Sequence, residues 1–401
     1  MLEVLRLNKA KEIVKKNISS LIKKEIISLE NSSNRILAEK IFSRENLPQF
    51  KRSTVDGYAL KASSTYGCSQ SIPTILKLKN IVKMNEETKI KISSEECSYV
   101  PTGGMVPSTC NAVVMIENTK QVNKEILIYS PCKVNENIIN VGEDIKEKKL
   151  MLETGKKLTP PRIGILAGNG ISKVPVFKKI KYSIISTGDE IVPIESKLQA
   201  CNIRDINSYT IYSKMESIGT FSKKYLVKDD LNSLKKTINE SLKNSDLIFI
   251  SGGSSVGTKD FTLRALEEIG AKVLIHGLAL KPGKPTMFAT KGNKILIGLP
   301  GHPMACLTSL EQIFINPYLE KIGYKEQEKI YAKAEINFPN ASGKDTIMPV
   351  RLTYKKETIL AYPLFYKSGL INILSIADGY TIISNKEEGI NKGTTLEIFK
   401  L

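Results

Sequence analysis

Apolar residues along this chain change their spacing several times, and each change marks a different kind of structure. Near the N-terminus, Val14, Ile18, Leu21 and Ile22 fall on one helical face, and Pro48 breaks that stretch. From 51 to 140, short runs rich in β-branched residues alternate with turn signals. Ile75-Leu76-Lys77-Leu78, Ala112-Val113-Val114-Met115-Ile116 and Ile126-Leu127-Ile128-Tyr129 are such runs. They predict a small all-β unit, with closure into a barrel as one form of it. Residues 141–178 carry Gly142, Gly155, Pro160 and Pro161, then a short apolar helix ending near Gly168. This segment is expected to return to the first domain, which makes the β unit an insertion.

At about 179 strands begin to alternate with helices. Strands are predicted at 182–186, 221–227, 246–250 and 272–276, and helices at 207–218, 229–243, 260–270 and 303–322. A β-hairpin is expected within 286–299. This order predicts a parallel sheet with helices on both faces, and such sheets bind ligands at the carboxyl ends of their strands. From 326 to 401 short strands return, with turns at Ser342-Gly343 and Asp378-Gly379, and a C-terminal β-barrel is expected. The fold class is therefore α/β multidomain. The domains are 1–50 with 141–178 (mixed helix and strand), 51–140 (inserted β), 179–325 (α/β) and 326–401 (β-barrel).

Composition narrows the function classes. Of 401 residues, 41% are hydrophobic and 25% charged, ordinary for a soluble globular protein of several domains. No apolar run approaches the length of a membrane-spanning helix, and residues 1–20 lack the apolar core of a signal peptide. A cytoplasmic protein is expected. None of the six cysteines forms a C-x-x-C pair, and His276 and His302 are the only histidines. A zinc ribbon, a thioredoxin site and a serine-hydrolase triad thus have little to work with. Net charge is +18, which favours anionic partners. The lysines are spread along the chain, aromatics are 6% and Trp is absent, so nucleic acid is disfavoured as the partner. The charge suits steering of a small polyanion into a cleft.

The candidate chemistry gathers in turns. Ser251-Gly252-Gly253-Ser254-Ser255-Val256-Gly257 lies between the apolar run 246–250 and the helix at 260–270. Strand, glycine-rich turn and helix N-terminus together make a backbone anion site. The spacing imitates a P-loop, but Thr258-Lys259 reverses the order that loop needs and Asp260 follows directly. Lys281-Pro282-Gly283-Lys284-Pro285 and Leu299-Pro300-Gly301-His302-Pro303 are two further rigid turns. Carboxylates occur in Thr54-Val55-Asp56-Gly57-Tyr58-Ala59, Val141-Gly142-Glu143-Asp144, Ser186-Thr187-Gly188-Asp189-Glu190 and at Asp260. Each has a local alternative: a hairpin turn at Asp56-Gly57, a turn cap at Asp189, a helix cap at Asp260, packing or capping at His302 and plain surface lysines at Lys281 and Lys284. Carboxylates beside a phosphate cradle would repel the ligand, and a bridging Mg²⁺ removes that objection.

Together these segments resemble the molybdopterin molybdenumtransferase family, which includes the E domain of gephyrin. The matching blocks are Thr54-Val55-Asp56-Gly57-Tyr58-Ala59, Pro101-Thr102-Gly103-Gly104, Asn111-Ala112-Val113-Val114, Gly142-Glu143-Asp144-Ile145, the blocks at Ser186, Ser251 and Lys281, and Gly298-Leu299-Pro300-Gly301, in family order. The resemblance implies an α/β domain like the molybdopterin adenylyltransferases, a homodimer, and Mg²⁺-dependent insertion of molybdate or tungstate into adenylylated molybdopterin with release of AMP. It implies Asp56, Asp144, Glu190 and Asp260 as catalytic, with Asp56, Glu190 and Asp260 as Mg²⁺ ligands. It implies Thr102, Ser251, Gly252, Gly253, Ser254, Ser255, Gly257, Lys281, Lys284, Pro300, Gly301, His302, Pro303 and Ser368 as substrate-binding. The family's usual Asn is His302 here, which opens the choice between molybdate and tungstate. The competing functions are a molybdopterin adenylyltransferase, a non-enzymatic scaffold of the same fold, and a nucleic-acid binder.

Overall fold

The computed structural model describes residues 4–252, 261–326, 329–340, 343–355, 358–367 and 369–401. The chain divides into two compact units, one of 40–153 with 164–172, the other of 1–39, 154–163 and 173–401.

Helix α1 (Leu7–Asn17) opens the larger unit and buries Leu7, Ala10 and Val14, a stripe at helical spacing. In the smaller unit, β1 (Gly57–Leu60), β2 (Thr74–Ile81), β3 (Glu96–Val100), β4 (Ala112–Met115), β5 (Thr119–Val122) and β6 (Glu125–Ile128) form one sheet, in the order β4-β1-β3-β2-β6-β5. The all-β expectation holds for this segment. Its sheet is antiparallel except where β2 runs parallel to β3. Asp56-Gly57 is not a hairpin turn. Residues 54–56 form a bend that leads into β1, and Gly57 is the first residue of that strand. A Cβ at Gly57 would lie 2.1 Å from the Val114 carbonyl oxygen, so close strand approach excludes any side chain there.

In the larger unit the alternation expected from 179 onward is present. It comprises β7 (Ile180–Thr187), α2 (Asn207–Met215), β8 (Gly219–Val227), α3 (Leu231–Asn244), β9 (Leu247–Ser251), α4 (Phe261–Glu268), β10 (Lys272–His276), the short β11 (Leu280–Lys281), β12 (Met287–Lys291) and β13 (Lys294–Leu299). The sheet order is β8-β7-β9-β13-β12-β10. β8, β7, β9 and β13 are mutually parallel, whereas the β12–β13 hairpin makes β12 antiparallel to both neighbours. Along β9, Leu247 and Phe249 enter one core with Ile211, Phe314 and α1. Ile248 and Ile250 enter the opposite core with Leu234, Ile238 and Ala265. Burial on both faces explains why this strand reads as an unbroken apolar run. Asp230 caps α3, its Oδ2 accepting from the Ser233 amide at 2.7 Å.

The long helix expected at 303–322 is α5 (Pro303–Leu310) and α6 (Asn316–Lys321), joined by a π-helical turn at Glu311–Ile315. That turn carries a buried polar chain. Lys214 of α2 pairs with Glu311, Tyr380 donates to Glu311 Oε2 at 2.6 Å, Gln312 donates to Tyr380 at 2.7 Å and Lys11 of α1 donates to Gln312 at 2.5 Å. Burial and the Glu311 carboxylate push the Tyr380 phenol well above its ordinary value, so it stays a donor.

β14 (Lys329–Ala334), β15 (Asp345–Lys355), β16 (Thr358–Pro363), β17 (Gly379–Ile383) and β18 (Thr395–Lys400) close on themselves in the order β15-β16-β14-β18-β17-β15. This is the expected C-terminal barrel. β11 joins its edge by pairing parallel to β15, which ties the Lys281 turn to the barrel wall.

Candidate functional site

Three parallel strands set the floor. Ser186 of β7, Ser251 of β9 and Leu299 of β13 stand in one line of register at the carboxyl ends of their strands. The chain leaves these ends through Gly188-Asp189-Glu190, Gly252 and Pro300-Gly301-His302, where a sheet of this kind binds its ligands. The turns border a cavity of about 1280 Å³, which Lys281, Lys284 and the barrel residues Lys344, Thr346 and Tyr366 also line. Barrel and sheet here belong to the same compact unit.

Gly252 is required for this arrangement. Its φ is +98°, and a Cβ there would lie 2.1 Å from the Thr187 carbonyl oxygen. The Gly301 turn packs against it in ordinary contact: a Cβ on Gly301 would lie 3.9 Å from the Gly252 Cα. The two backbones thus stand together at the start of α5. His302 is the residue before that helix and its side chain makes no capping bond. Its imidazole instead faces the barrel turn, at 3.4–3.5 Å from the position a Cβ on Gly369 would take.

A buried polar knot holds the floor. Asn207 is 7% exposed and donates from Nδ2 to Ser251 Oγ at 2.7 Å and to the Gly301 carbonyl at 2.8 Å. Asp205 is 2% exposed, and its Oδ1 accepts from the Ser186 hydroxyl at 3.0 Å and the Ser208 amide at 3.2 Å. Among the described residues, Asp205 Oδ2, Asn207 Oδ1, Thr187 Oγ1 and Thr346 Oγ1 are buried without a hydrogen-bond partner, and all four residues line the cavity. Buried polar atoms are rarely left unpaired unless a ligand or water completes them.

Charge is divided within the cavity. Glu190, Asp205 and Asp229 supply carboxylates and Lys281, Lys284 and Lys344 supply ammonium groups. Arg204 also lines it, but its guanidinium is engaged by the carbonyls of Ile194 at 2.8 Å and Ser196 at 3.1 Å. Cys306 lies under Ser251, and complete burial pushes its thiol up to about 12, so it is no nucleophile. Burial likewise pushes the Tyr366 phenol up to about 12, which keeps it protonated.

Of the residues singled out in the sequence, Glu190, Ser251, Gly252, Lys281, Lys284, Pro300, Gly301, His302 and Pro303 meet around this cavity. The Asp189 carboxylate accepts from the distant Asp229 amide at 3.3 Å. Gly253, Ser254, Ser255, Gly257, Asp260 and Ser368 lie outside the described residues. Asp56, Thr102 and Asp144 belong to the smaller unit. There Asp56 and Thr102 are joined, the Thr102 amide donating to Asp56 Oδ1 at 2.8 Å, and Asp144 is exposed. Sequence reading did not single out Asp205, Asn207 or Lys344 for the site, and Thr187 entered only as part of the Ser186 block. The only signal was position: Asp205 and Asn207 flank the start of a helix, where such residues ordinarily serve as caps. Among the described residues no three His, Cys, Asp or Glu side chains converge as a metal cage. None of the described helices is long and apolar enough to cross a membrane.

Three family profiles match the chain: "MoeA N-terminal region (domain I and II)" over 5–170, "Probable molybdopterin binding domain" over 183–321 and "MoeA C-terminal region (domain IV)" over 331–401. A putative molybdopterin biosynthesis protein of Methanocaldococcus jannaschii is 32% identical over 99% of this chain and 98% of its own. The molybdopterin molybdenumtransferase of Haemophilus influenzae is 32% identical over 85% of this chain and 84% of its own. The crystal structure of a molybdopterin biosynthesis MoeA protein from Pyrococcus horikoshii superposes with a TM-score of 0.85, at 34% identity and 99% coverage of both chains.

Proposed function

This chain belongs to the molybdopterin molybdenumtransferase (MoeA) family, and we propose that it inserts molybdate or tungstate into adenylylated molybdopterin with Mg²⁺ and release of AMP. Membership places it among the enzymes of molybdenum cofactor biosynthesis. The observation that carries the finer reading is the cavity itself. It joins glycine turns and a helix start, which favour an anion, to unpartnered buried acceptors, which favour hydroxyl or N–H groups. A nucleotide-bearing ligand offers both.

In this reading Lys281 and Lys284 face the pyrophosphate link, and their charge offsets what develops on the phosphate oxygens as the link breaks. A water oxygen bonds to the adenylyl phosphorus as its bond to the bridging oxygen breaks, so AMP departs with that oxygen and the pterin keeps its own phosphate. The two dithiolene thiols displace one oxygen of the oxyanion, which leaves as water, and the metal stays on the dithiolene. The described donors fit Mg²⁺. Glu190 and Asp229 supply carboxylate oxygens on the cavity wall, and no closed cage forms among the described residues. Mg²⁺ ordinarily takes one or two carboxylates and completes its shell with phosphates and waters. Bound there, it would neutralise phosphate charge beside the carboxylates. Asp56 and Asp260 keep the ligand role through the family resemblance, and the same resemblance carries a homodimer, which sedimentation would read.

The test is AMP release from adenylylated molybdopterin with Mg²⁺, comparing molybdate, tungstate and neither. Oxyanion-dependent release is expected, and the favoured oxyanion reports what the His302 turn accepts. Glu190→Ala should lower that release on the order of 10²-fold or more while the protein stays folded by circular dichroism. A fully active Glu190→Ala would sink its role, and no release from a folded dimer would sink the reaction.

A further inference from the structure

We propose that Asp205 and Asn207 are a recognition pair for the ribose hydroxyls of the adenylyl group, a role that rests on the nucleotide reading given above. The two side chains stand two residues apart at the entry to α2, both more than nine-tenths buried, and both residues line the cavity. Each keeps one oxygen without a partner among the described residues.

The orientation of each side chain is fixed by its other atom. The Gly301 carbonyl can only accept, so the Asn207 atom 2.8 Å from it must be the amide nitrogen. That leaves Oδ1, an obligate acceptor, as the free atom. Asp205 is held through Oδ1 by the Ser186 hydroxyl and the Ser208 amide, which leaves Oδ2 as a second obligate acceptor. Two obligate acceptors repel phosphate oxygens and call for donors on the ligand.

Position selects the donor. The Asn207 amide nitrogen is bonded to Ser251 and Gly301, the two turns that favour an anion. Its free oxygen belongs to the same amide, so the donor must sit next to the phosphate. On an adenylyl group the sugar is the part joined directly to the phosphate, and it carries two vicinal hydroxyls. The adenine amino group is farther away. An acidic side chain near the phosphate turn of a parallel α/β sheet is a known way of receiving ribose hydroxyls. Thr187 Oγ1, also buried and unpartnered, borders the same corner and can complete the second hydroxyl.

The experiment is calorimetric binding of AMP, 2′,3′-dideoxy-AMP and pyrophosphate to the full chain in EDTA, so that no metal mediates the effect. The wild type should bind AMP about 10- to 100-fold more tightly than the dideoxy nucleotide. In Asp205→Asn that ratio should fall toward one, while pyrophosphate binding stays unchanged and shows the anion turns intact. Equal binding of the two nucleotides by the wild type overturns the proposal without recourse to any variant. So does an Asp205→Asn protein that keeps the full ratio. If the wild type binds no AMP, the nucleotide reading itself fails and takes this assignment with it. AMP binding without hydroxyl dependence overturns the assignment alone.

Discussion

Single atoms decide much of this site. At Gly252 a methyl group would meet the Thr187 carbonyl at 2.1 Å in a backbone conformation that side chains rarely adopt. Gly252→Ala is therefore expected to shift Thr187 and the end of β9, costing about 1–3 kcal/mol of stability. The displaced turn should also lower AMP release on the order of 10²-fold, since small misplacements near a reacting group are costly. Denaturant unfolding and the release assay read the two effects, and an Ala variant with both unchanged would show that the turn can relax. The sequence marked Gly252 as a turn glycine but gave no sign that Thr187 was its neighbour, because that contact crosses from one strand to the next.

At the scale of elements, two joints hold the larger unit's helices and barrel in place. The first is the chain Lys11–Gln312–Tyr380–Glu311–Lys214, which links α1, the π-helical turn, β17 and α2. Tyr380→Phe leaves Glu311 Oε2 and the Gln312 amide each short of a partner in a buried place, and should cost about 1–3 kcal/mol. Chemical denaturation followed by circular dichroism measures it, and a neutral result would mean that water replaces the hydroxyl. The second joint is Glu326, which takes Arg162 at 2.5 and 2.7 Å and Lys156 at 3.1 Å. The Arg162 hydrogen bonds lead in holding its carboxyl down at about 2, against an ordinary 4.5. A depressed carboxyl stabilises above its unfolded value, so this contribution is complete above about 4.5 and is lost as pH falls toward about 2. Glu326→Gln should lower the denaturation midpoint at about pH 6, and the gap to wild type should narrow below about 4.5 and close only as pH falls through about 2. A gap that stays constant with pH would assign the loss to packing. The long helix at 303–322 was legible as a helix, but its π-helical turn was not, because it arises where Glu311 and Gln312 reach partners distant in sequence.

For the whole molecule, the cysteines give a simple check on the core. Five of the six are buried and Cys201 is exposed. Burial pushes Cys97, Cys110 and Cys306 up to about 12, which leaves almost no thiolate for reaction. The native chain should react quickly with about one equivalent of a thiol reagent, and with all six groups after denaturation. Rapid reaction of several thiols in the native state would mean that the cores of one or both units open readily. The absence of any C-x-x-C pair anticipated this inert role, and the structure adds which thiol stays outside.

By itself the sequence determined the kinds of element, their order and the turns that border the cavity. These are local properties: an apolar run buried on both faces, a glycine after a strand, a proline that stiffens a lysine turn. The ordered motifs also carried the family. Tertiary structure alone decided which side chains share a cavity, because Ser186, Ser251 and Leu299 are level only through strand register. It also decided that β12 runs against its neighbours, that the barrel closes through β15 and β17, and that Asp205 and Asn207 each keep one oxygen free. A free acceptor is defined by every neighbour that fails to reach it, and that sum over distant residues is written nowhere in the local sequence.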